Sequence, residues 1–273
     1  MIQRPKFYEL LTEAWKESRS FLCVGIDPSI EMFPTNHELR HGGFLDFCTS
    51  IVDAVSEYVC ALKMNHAHFA SSGHEPELES LIDYIHETNP GIPVILDAKR
   101  GDVDSTAAKY AKESFERYSA DAVTVNPYLG WDTLEPFIKY ERRGVVVLCK
   151  TSNPGSAWLQ DHPKESPMYL RIAERVQQQA NPNLMLVVGA THENSLSQVR
   201  QIAPDVTFLV PGVGAQGGNA ENVMKLGKRS DGLGLIINCS RSVIAQDRET
   251  FDYFGKVASA AKSLSESLSI RVN

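Results

Sequence analysis

Residues 94–106 read VILDAKRGDVDST. Three apolar residues, Val94, Ile95 and Leu96, run straight into Asp97, Lys99, Arg100 and Asp102, the pattern of a buried strand that empties into charge. Side chains two apart on a strand share a face, so Asp97 and Lys99 should point the same way. Asp102 follows across Gly101, which lets the chain turn sharply. A lysine flanked by two carboxylates is held as the ammonium, because nearby opposite charge outweighs moderate desolvation. Such a lysine is a poor nucleophile and a well-placed proton donor. A solvated surface charge run is the plain alternative. The apolar strand directly upstream argues for a site instead, since strand ends are where perturbed groups gather.

Working outward, eight short apolar or β-branched segments recur, at 21–26, 61–64, 94–96, 122–125, 145–148, 184–188, 208–210 and 235–237. Between most of them lie stretches of helical period, at 45–59, 78–86, 105–118, 168–179 and 195–202. Strand and helix alternating eight times predict an α/β fold, a TIM (β/α)8 barrel. Each segment ends in polar or turn residues: Asp27-Pro28, Asn65, Asp97, Asn126-Pro127, Lys150-Thr151, Gly189, Pro211-Gly212 and Asn238. In such barrels the loops after the strands build the active site, so these ends should converge on one mouth. A doubly wound open sheet shares the alternation, because strand order is invisible in a sequence. An extra amphipathic helix is expected at 6–18, carrying Phe7, Leu10, Leu11, Ala14 and Trp15 and covering one end of the core. A last helix is expected at 251–268. With 273 residues and no linker-like stretch, residues 1–273 are read as one domain.

The chain is 42% hydrophobic and 22% charged, and its 27 basic against 34 acidic residues leave a net charge of -7. A charge that repels phosphate backbones, with no basic stripe, argues against nucleic acid as a partner and confines any bound phosphate to a local pocket. The five cysteines show no CxxC spacing and fall mostly in or beside apolar runs, as buried free thiols do. Their odd number, and an N-terminus without an apolar signal core, lead us to expect a cytoplasmic protein. No apolar run approaches bilayer length, so no membrane is expected.

GVGAQGG at 212–218 contains the dinucleotide fingerprint GxGxxG. That fingerprint belongs to the first strand and helix of a nucleotide fold, with an acidic residue about 20 positions on. Here it follows the seventh strand, and Asp231 is too near. The better reading is a glycine-rich turn whose backbone amides meet phosphate oxygens, where barrels commonly bind phosphate. Gln216 could add its amide and Arg241, in NCSRS beyond the eighth strand, a bidentate clamp. A plain tight turn is the simpler use of glycine. Asp27 and Lys63, ending strands one and two, form an opposite-charge pair suited to sugar hydroxyls, or merely a surface ion pair. His66 and His68, in HAH, look like a metal pair on one strand face, yet later strand ends offer Lys150, Thr151 and Asn238 and no further histidine, so no metal is expected. TSNPGS at 151–156 opens a long polar loop to about residue 167, either a lid or a surface excursion.

DAKRGD after the third strand, CVGIDPS at the first, LKMN at the second, VPGVGAQGG at the seventh and NCSRS at the eighth occur in this order from about residue 21 to 242. Together they resemble the orotidine 5'-phosphate decarboxylases, in the bacterial type with the DAKRGD form of the motif. A related group of sugar-phosphate decarboxylases and lyases shares part of it. The resemblance implies decarboxylation of orotidine 5'-phosphate to uridine 5'-phosphate, the last step of UMP synthesis, with no metal and no organic cofactor. It implies that Lys99 protonates the carbanion at ring carbon 6 and that Asp97 sits beside the departing carboxylate. Asp102 and Thr106, the later positions of DxKxxDVxxT at 97–106, would reach the ribose in a neighbouring subunit's site, making a homodimer with shared active sites. Asp27 and Lys63 match ribose contacts, Ser152 a contact to the pyrimidine edge, and Gln216 and Arg241 phosphate contacts; Pro211 and Gly217 complete the expected substrate-binding set. Val103 stands where the family often has isoleucine.

The chemistry fits independently of the resemblance. Loss of carbon dioxide leaves a localised carbanion, so stabilisation must come from fixed opposite charge. Two other readings stay open at this level. One is a phosphosugar decarboxylase or lyase of the same barrel group, which would need a neutral lysine for a Schiff base or a metal. The other is a catalytically silent binder of phosphorylated ligands.

Overall fold

The computed structural model of the protein describes residues 4–35, 43–214 and 217–270. Its eight strands are β1 (Leu22–Ile26), β2 (Ala61–Asn65), β3 (Val94–Arg100), β4 (Ala122–Val125), β5 (Gly144–Lys150), β6 (Leu184–Val188), β7 (Thr207–Pro211) and β8 (Leu235–Cys239). All pair in parallel in sequence order, and β8 returns to β1 to close the barrel. The doubly wound alternative is thereby excluded. Segments such as LCVGI and LMLVV are buried at every position, because helices cover the outside while side chains fill the inside.

Several elements differ from the sequence expectation. β3 continues through its charged residues to Arg100, and β5 to Lys150. Apolar patterning underestimates strands whose ends line a polar mouth. HAH lies on a short helix, His66–Ala70, whose first turn is capped by the Asn65 side chain accepting from Ala67 N–H at 3.1 Å, not on a strand face. Two crossovers lacking an expected helix carry short ones, Glu135–Ile138 and Ala220–Gly227. The 105–118 stretch is a helix, Asp104–Lys112, that widens into a π-helical turn at Glu113–Arg117.

The N-terminal helix, Phe7–Ser18, closes the bottom of the barrel with Phe7, Leu11 and Trp15. Trp15 Nε1 donates to the Leu235 carbonyl at 3.0 Å, tying the plug to the foot of β8. Beside it, Asp121 at the foot of β4 is buried and fully engaged. It accepts from Arg4 at 2.7 and 2.9 Å, from Val94 N–H at 2.9 Å and from Arg143 at 3.3 Å, and lies 3.2 Å from His86 Nε2. Burial acts to raise its pKa, but the hydrogen bonds and charges of His86 and Arg4 outweigh it and leave the carboxyl below its ordinary value. A native pKa below the unfolded one stabilises the fold above the ordinary carboxylate range, and that contribution is lost as pH falls through the lowered native value. Asp121→Asn should therefore destabilise the protein by about 3–5 kcal/mol, the cost of unpairing a buried charge cluster. In denaturant titrations across acid pH, the parent should lose stability more steeply than the variant.

Candidate active site

The mouth of the barrel is shaped by a bulge. Leu96 pairs with Val123 but Arg100 with Val125, so β3 is longer than β4 across the interval holding Asp97 and Lys99. Lys99 sits in it with φ 46°, the left-handed region a non-glycine residue enters only at a cost of roughly 1–2 kcal/mol. Its N–H donates to Thr124 Oγ1 on β4 at 2.9 Å. Asp97 and Lys99 do face the same way, but through this bulge as well as the strand's alternation.

Four charges alternate across the mouth. Lys63 Nζ lies 3.6 Å from Asp27 Oδ1 and 3.2 Å from Asp97 Oδ2, and Lys99 Nζ lies 2.7 Å from Asp97 Oδ1. Lys63 is buried, whereas the Lys99 side chain is 48% exposed. Burial pushes the Asp97 carboxyl up, but Lys63, Lys99 and the hydrogen bonds from Lys99 and Thr124 bring it down to about 2. Burial would likewise lower Lys63, but Asp27 and Asp97 raise it above the ordinary lysine value. Lys63 and Asp97 thus favour each other's charged form, and Lys99 is left at the solvent-facing edge.

These charges line a cavity of about 370 Å³ that also takes in Asn65, Thr124, Thr151, Ser152, Asn153, Pro211 and Asn238, with Leu148, Val187 and Leu209 as apolar lining. A second space of about 190 Å³ adjoins it through the shared Asp27, Pro211 and Asn238, and contains Gly212, Val213, Ser240, Arg241 and Ser242. Arg241 has no ion-pair partner among the described residues, so its guanidinium remains available to an anion. Asp27 Oδ1 is buried and accepts no hydrogen bond among them. A charged cluster, an apolar flank for a planar ring and an adjoining cationic space suit a phosphorylated aromatic or sugar ligand.

Lys99, Asp97, Asp27, Lys63, Ser152 and Pro211 thus meet in the larger space, and Arg241 in the smaller. Ser152 is held by close approach: a Cβ on Gly189, at the end of β6, would come within 2.7 Å of the Ser152 Cα. Asp102 and Thr106 line neither space; the Asp102 carboxylate instead accepts from Val103 N–H at 2.8 Å, and Thr106 is exposed. The expectation that Asp102 brackets Lys99 is corrected: among the described residues Lys99 pairs with Asp97 alone, because the turn after Gly101 carries Asp102 away. In the glycine turn, Gly214 and Gly217 have φ of 75° and 88°. The amides of Gly214, Gly217 and Gly218 donate within the turn, to Gly218, Gly214 and Gly212 carbonyls at 3.1, 2.8 and 3.0 Å. They are not the free donors the sequence suggested. Gln216 lies outside the described residues. His68 borders the smaller space and His66 Nε2 lies 3.1 Å from Tyr118 Oη. No group of three or more potential metal ligands occurs among the described residues.

Residues 20–250 match the model of the orotidine 5'-phosphate decarboxylase / HUMPS family. The chain is 48% identical over 246 residues to the orotidine 5'-phosphate decarboxylase of Cupriavidus taiwanensis, covering 89% of this chain and 90% of that one. It is 46% identical over 262 residues to that of Ralstonia pickettii, covering 94% and 97%. The chain belongs to the orotidine 5'-phosphate decarboxylase / HUMPS family. Among solved structures it resembles the OMP decarboxylase of Leishmania donovani, at 37% identity and a TM-score of 0.80, covering 96% of this chain and 97% of that one. It also resembles the UMP synthase of the same organism, at 39% identity and a TM-score of 0.84, covering 97% of this chain but only 56% of that longer one.

Family membership agrees with the motifs, but the motifs did not point to Thr124. The signal available was a single hydroxyl in the buried run AVTV, where a polar group needs partners. The left-handed backbone at Lys99 gives a direct check. Lys99→Gly should melt above Lys99→Ala by about 1 kcal/mol of stability, since only glycine relaxes at that φ. Equal melting would show that the bulge is unstrained there.

Proposed function

We propose that this protein decarboxylates orotidine 5'-phosphate to uridine 5'-phosphate. The observation that carries the reading is the Lys99 ammonium 2.7 Å from an ionised Asp97 in a cavity that adjoins the space holding Arg241, which has no ion-pair partner among the described residues. On this reading the bond from ring carbon 6 to the carboxylate breaks with its electron pair left on the ring, carbon dioxide departs, and Lys99 transfers a proton to that carbon. The neutral amine then regains its proton from water. Fixed positive charge stabilises the carbanion as it forms. Asp97 contributes negative charge beside the departing carboxylate, Asp27 and Lys63 hold the ribose hydroxyls, Ser152 the pyrimidine edge, and Arg241 with Pro211 and Gln216 the phosphate end. Asp27 Oδ1 supports the ribose role, because it is ion-paired with Lys63 yet accepts no hydrogen bond among the described residues and so has room for a donor. No metal and no organic cofactor are needed for this chemistry.

The active unit on this reading is a homodimer, with the whole chain acting as one barrel domain. Asp102 and Thr106 lie outside their own cavity, flanking Val103, which is 48% exposed; Gly101 packs against Asn126, two residues before the exposed Tyr128. A second subunit covering that surface would receive both polar side chains at its ribose. The five buried free thiols suit a reducing cytoplasm, and no helix among the described residues is long and apolar enough to cross a membrane. The loop after β5 would serve as a lid; its base is anchored by Lys150 Nζ on Asp161 at 2.5 Å, while Trp158 stands 83% exposed.

Absorbance loss on mixing the protein with orotidine 5'-phosphate in excess chelator tests the reaction. Turnover is expected for the parent and none for Lys99→Ala, which should keep its fold. Absence of turnover in the parent sinks the proposal. Binding energy from the distant phosphate should act on the chemical step, so the phosphate-free nucleoside should show a lower kcat and not only a higher KM. For the shared site, mixing inactive Lys99→Ala with inactive Asp102→Ala should restore roughly a quarter of parental activity, because half of all dimers are then mixed and each carries one intact site. No recovery after subunit exchange would mean that each chain completes its own site.

A further inference from the structure

The hydroxyl of Thr124 stands between the two residues assigned to the chemistry. Its oxygen accepts from Lys99 N–H at 2.9 Å, and its hydrogen is donated to Asp97 Oδ1 at 2.8 Å. The directions are forced: the backbone amide can only donate and an ionised carboxylate can only accept, so the hydroxyl proton must point at Asp97. Asp97 Oδ1 is also the atom that receives Lys99 Nζ, so one carboxylate oxygen sits at the junction of the hydroxyl and the ammonium. Thr124 is 1% exposed, on a strand that is otherwise apolar, where its hydroxyl would be costly without partners. Both of its hydrogen-bonding functions are spent on the bulge of β3.

We propose that Thr124 is a positioning residue for the decarboxylation, a hydroxyl on β4 that locks the Lys99 backbone and the Asp97 carboxylate into one geometry. The inference rests on the function proposed above. β4 is buried at all four positions and paired on both sides, so it is a rigid base. From it, the hydroxyl supplies the partner that Lys99 N–H lacks within the bulged ladder and keeps the left-handed backbone from relaxing. It also fixes the rotation of the Asp97 carboxylate, so that one oxygen faces Lys99 and the other Lys63 at 3.2 Å. Thr124 borders the cavity, but its hydroxyl is turned to protein partners, so the effect reaches the substrate through Lys99 and Asp97. Catalysis by preset charge is sensitive to displacements well under an ångström, whereas affinity for the far phosphate end is not.

The experiment compares Thr124→Val, which keeps shape and removes the hydroxyl, with Thr124→Ser, which keeps the hydroxyl and removes a methyl group. Steady-state kinetics on orotidine 5'-phosphate, uridine 5'-phosphate affinity and thermal melting are measured for each. Thr124→Val should lose about tenfold or more in kcat, the equivalent of roughly one hydrogen bond, with KM and product affinity changed less than about threefold. Thr124→Ser should return kcat to within about threefold of the parent. Should Thr124→Val fail to fold, Thr124→Ala against Thr124→Ser makes the same comparison, since these differ by the hydroxyl alone. Parental kcat in a variant without the hydroxyl, or a serine variant as impaired as alanine or valine, overturns the inference. An inert parent overturns the proposed function instead, so the two failures are separable.

Discussion

One carboxylate under two ammonium groups is the constraint from which the mouth of this barrel is organised. Asp97 is 12% exposed, and an isolated charge so placed would take up a proton. Lys63 behind it and Lys99 in front reverse that tendency and keep its pKa near 2. Neither lysine is dispensable electrostatically: without Lys63 the buried side of Asp97 would face Asp27, a like charge, and without Lys99 the solvent side would be bare. The alternation Asp27, Lys63, Asp97, Lys99 follows the strand order β1, β2, β3, so closure of the sheet and charge balance at its mouth are one problem solved once.

The barrel supplies the rigidity this arrangement requires. Its charged rim stands on layers of buried aliphatic side chains, and the opposite end is stoppered by the N-terminal helix and the Asp121 cluster. The chemistry-bearing residues sit at strand ends, where the backbone is held by neighbours on both sides, and the loops complete the walls. This division also bears on a larger cavity, about 430 Å³ near Tyr8 and Arg229 at the foot of the barrel. There Arg229 is already matched by Asp231 and the Tyr8 hydroxyl. At the mouth, Arg241 and Asp27 are left with capacity for a ligand.

The strands and most of the helices between them could be read from residue order, because apolar runs and polar terminators alternate eight times, while closure into a barrel rests on the β8–β1 pairing. Lys99, Asp97, Asp27, Lys63, Ser152 and Arg241 could be singled out as candidates because each lies at or just beyond the end of a strand, and those ends converge on the mouth. The reading failed where local pattern and three-dimensional role diverge. HAH alternates like a strand but caps and begins a helix, because the Asn65 side chain satisfies its first turn. The glycine turn has the composition of an anion cradle, yet the amides of Gly214, Gly217 and Gly218 are taken up within the turn. Asp102 is near Lys99 in sequence and turned from it in space. Thr124 gave no motif, since a single threonine in an apolar strand is ordinary until its partners are known.

Hydropathy period and the charged strand ends suffice for the alternation of strands and helices, the expected face of the site and Lys99 as a candidate, because those depend on which residues follow which; closure of the sheet was decided by the pairing of β8 with β1. The bulge in β3, the left-handed backbone at Lys99, the sharing of Lys63 between two carboxylates and the hydroxyl bridge from β4 come from elsewhere. They arise where strands distant in sequence are pressed into register, and no linear pattern encodes a distance between them.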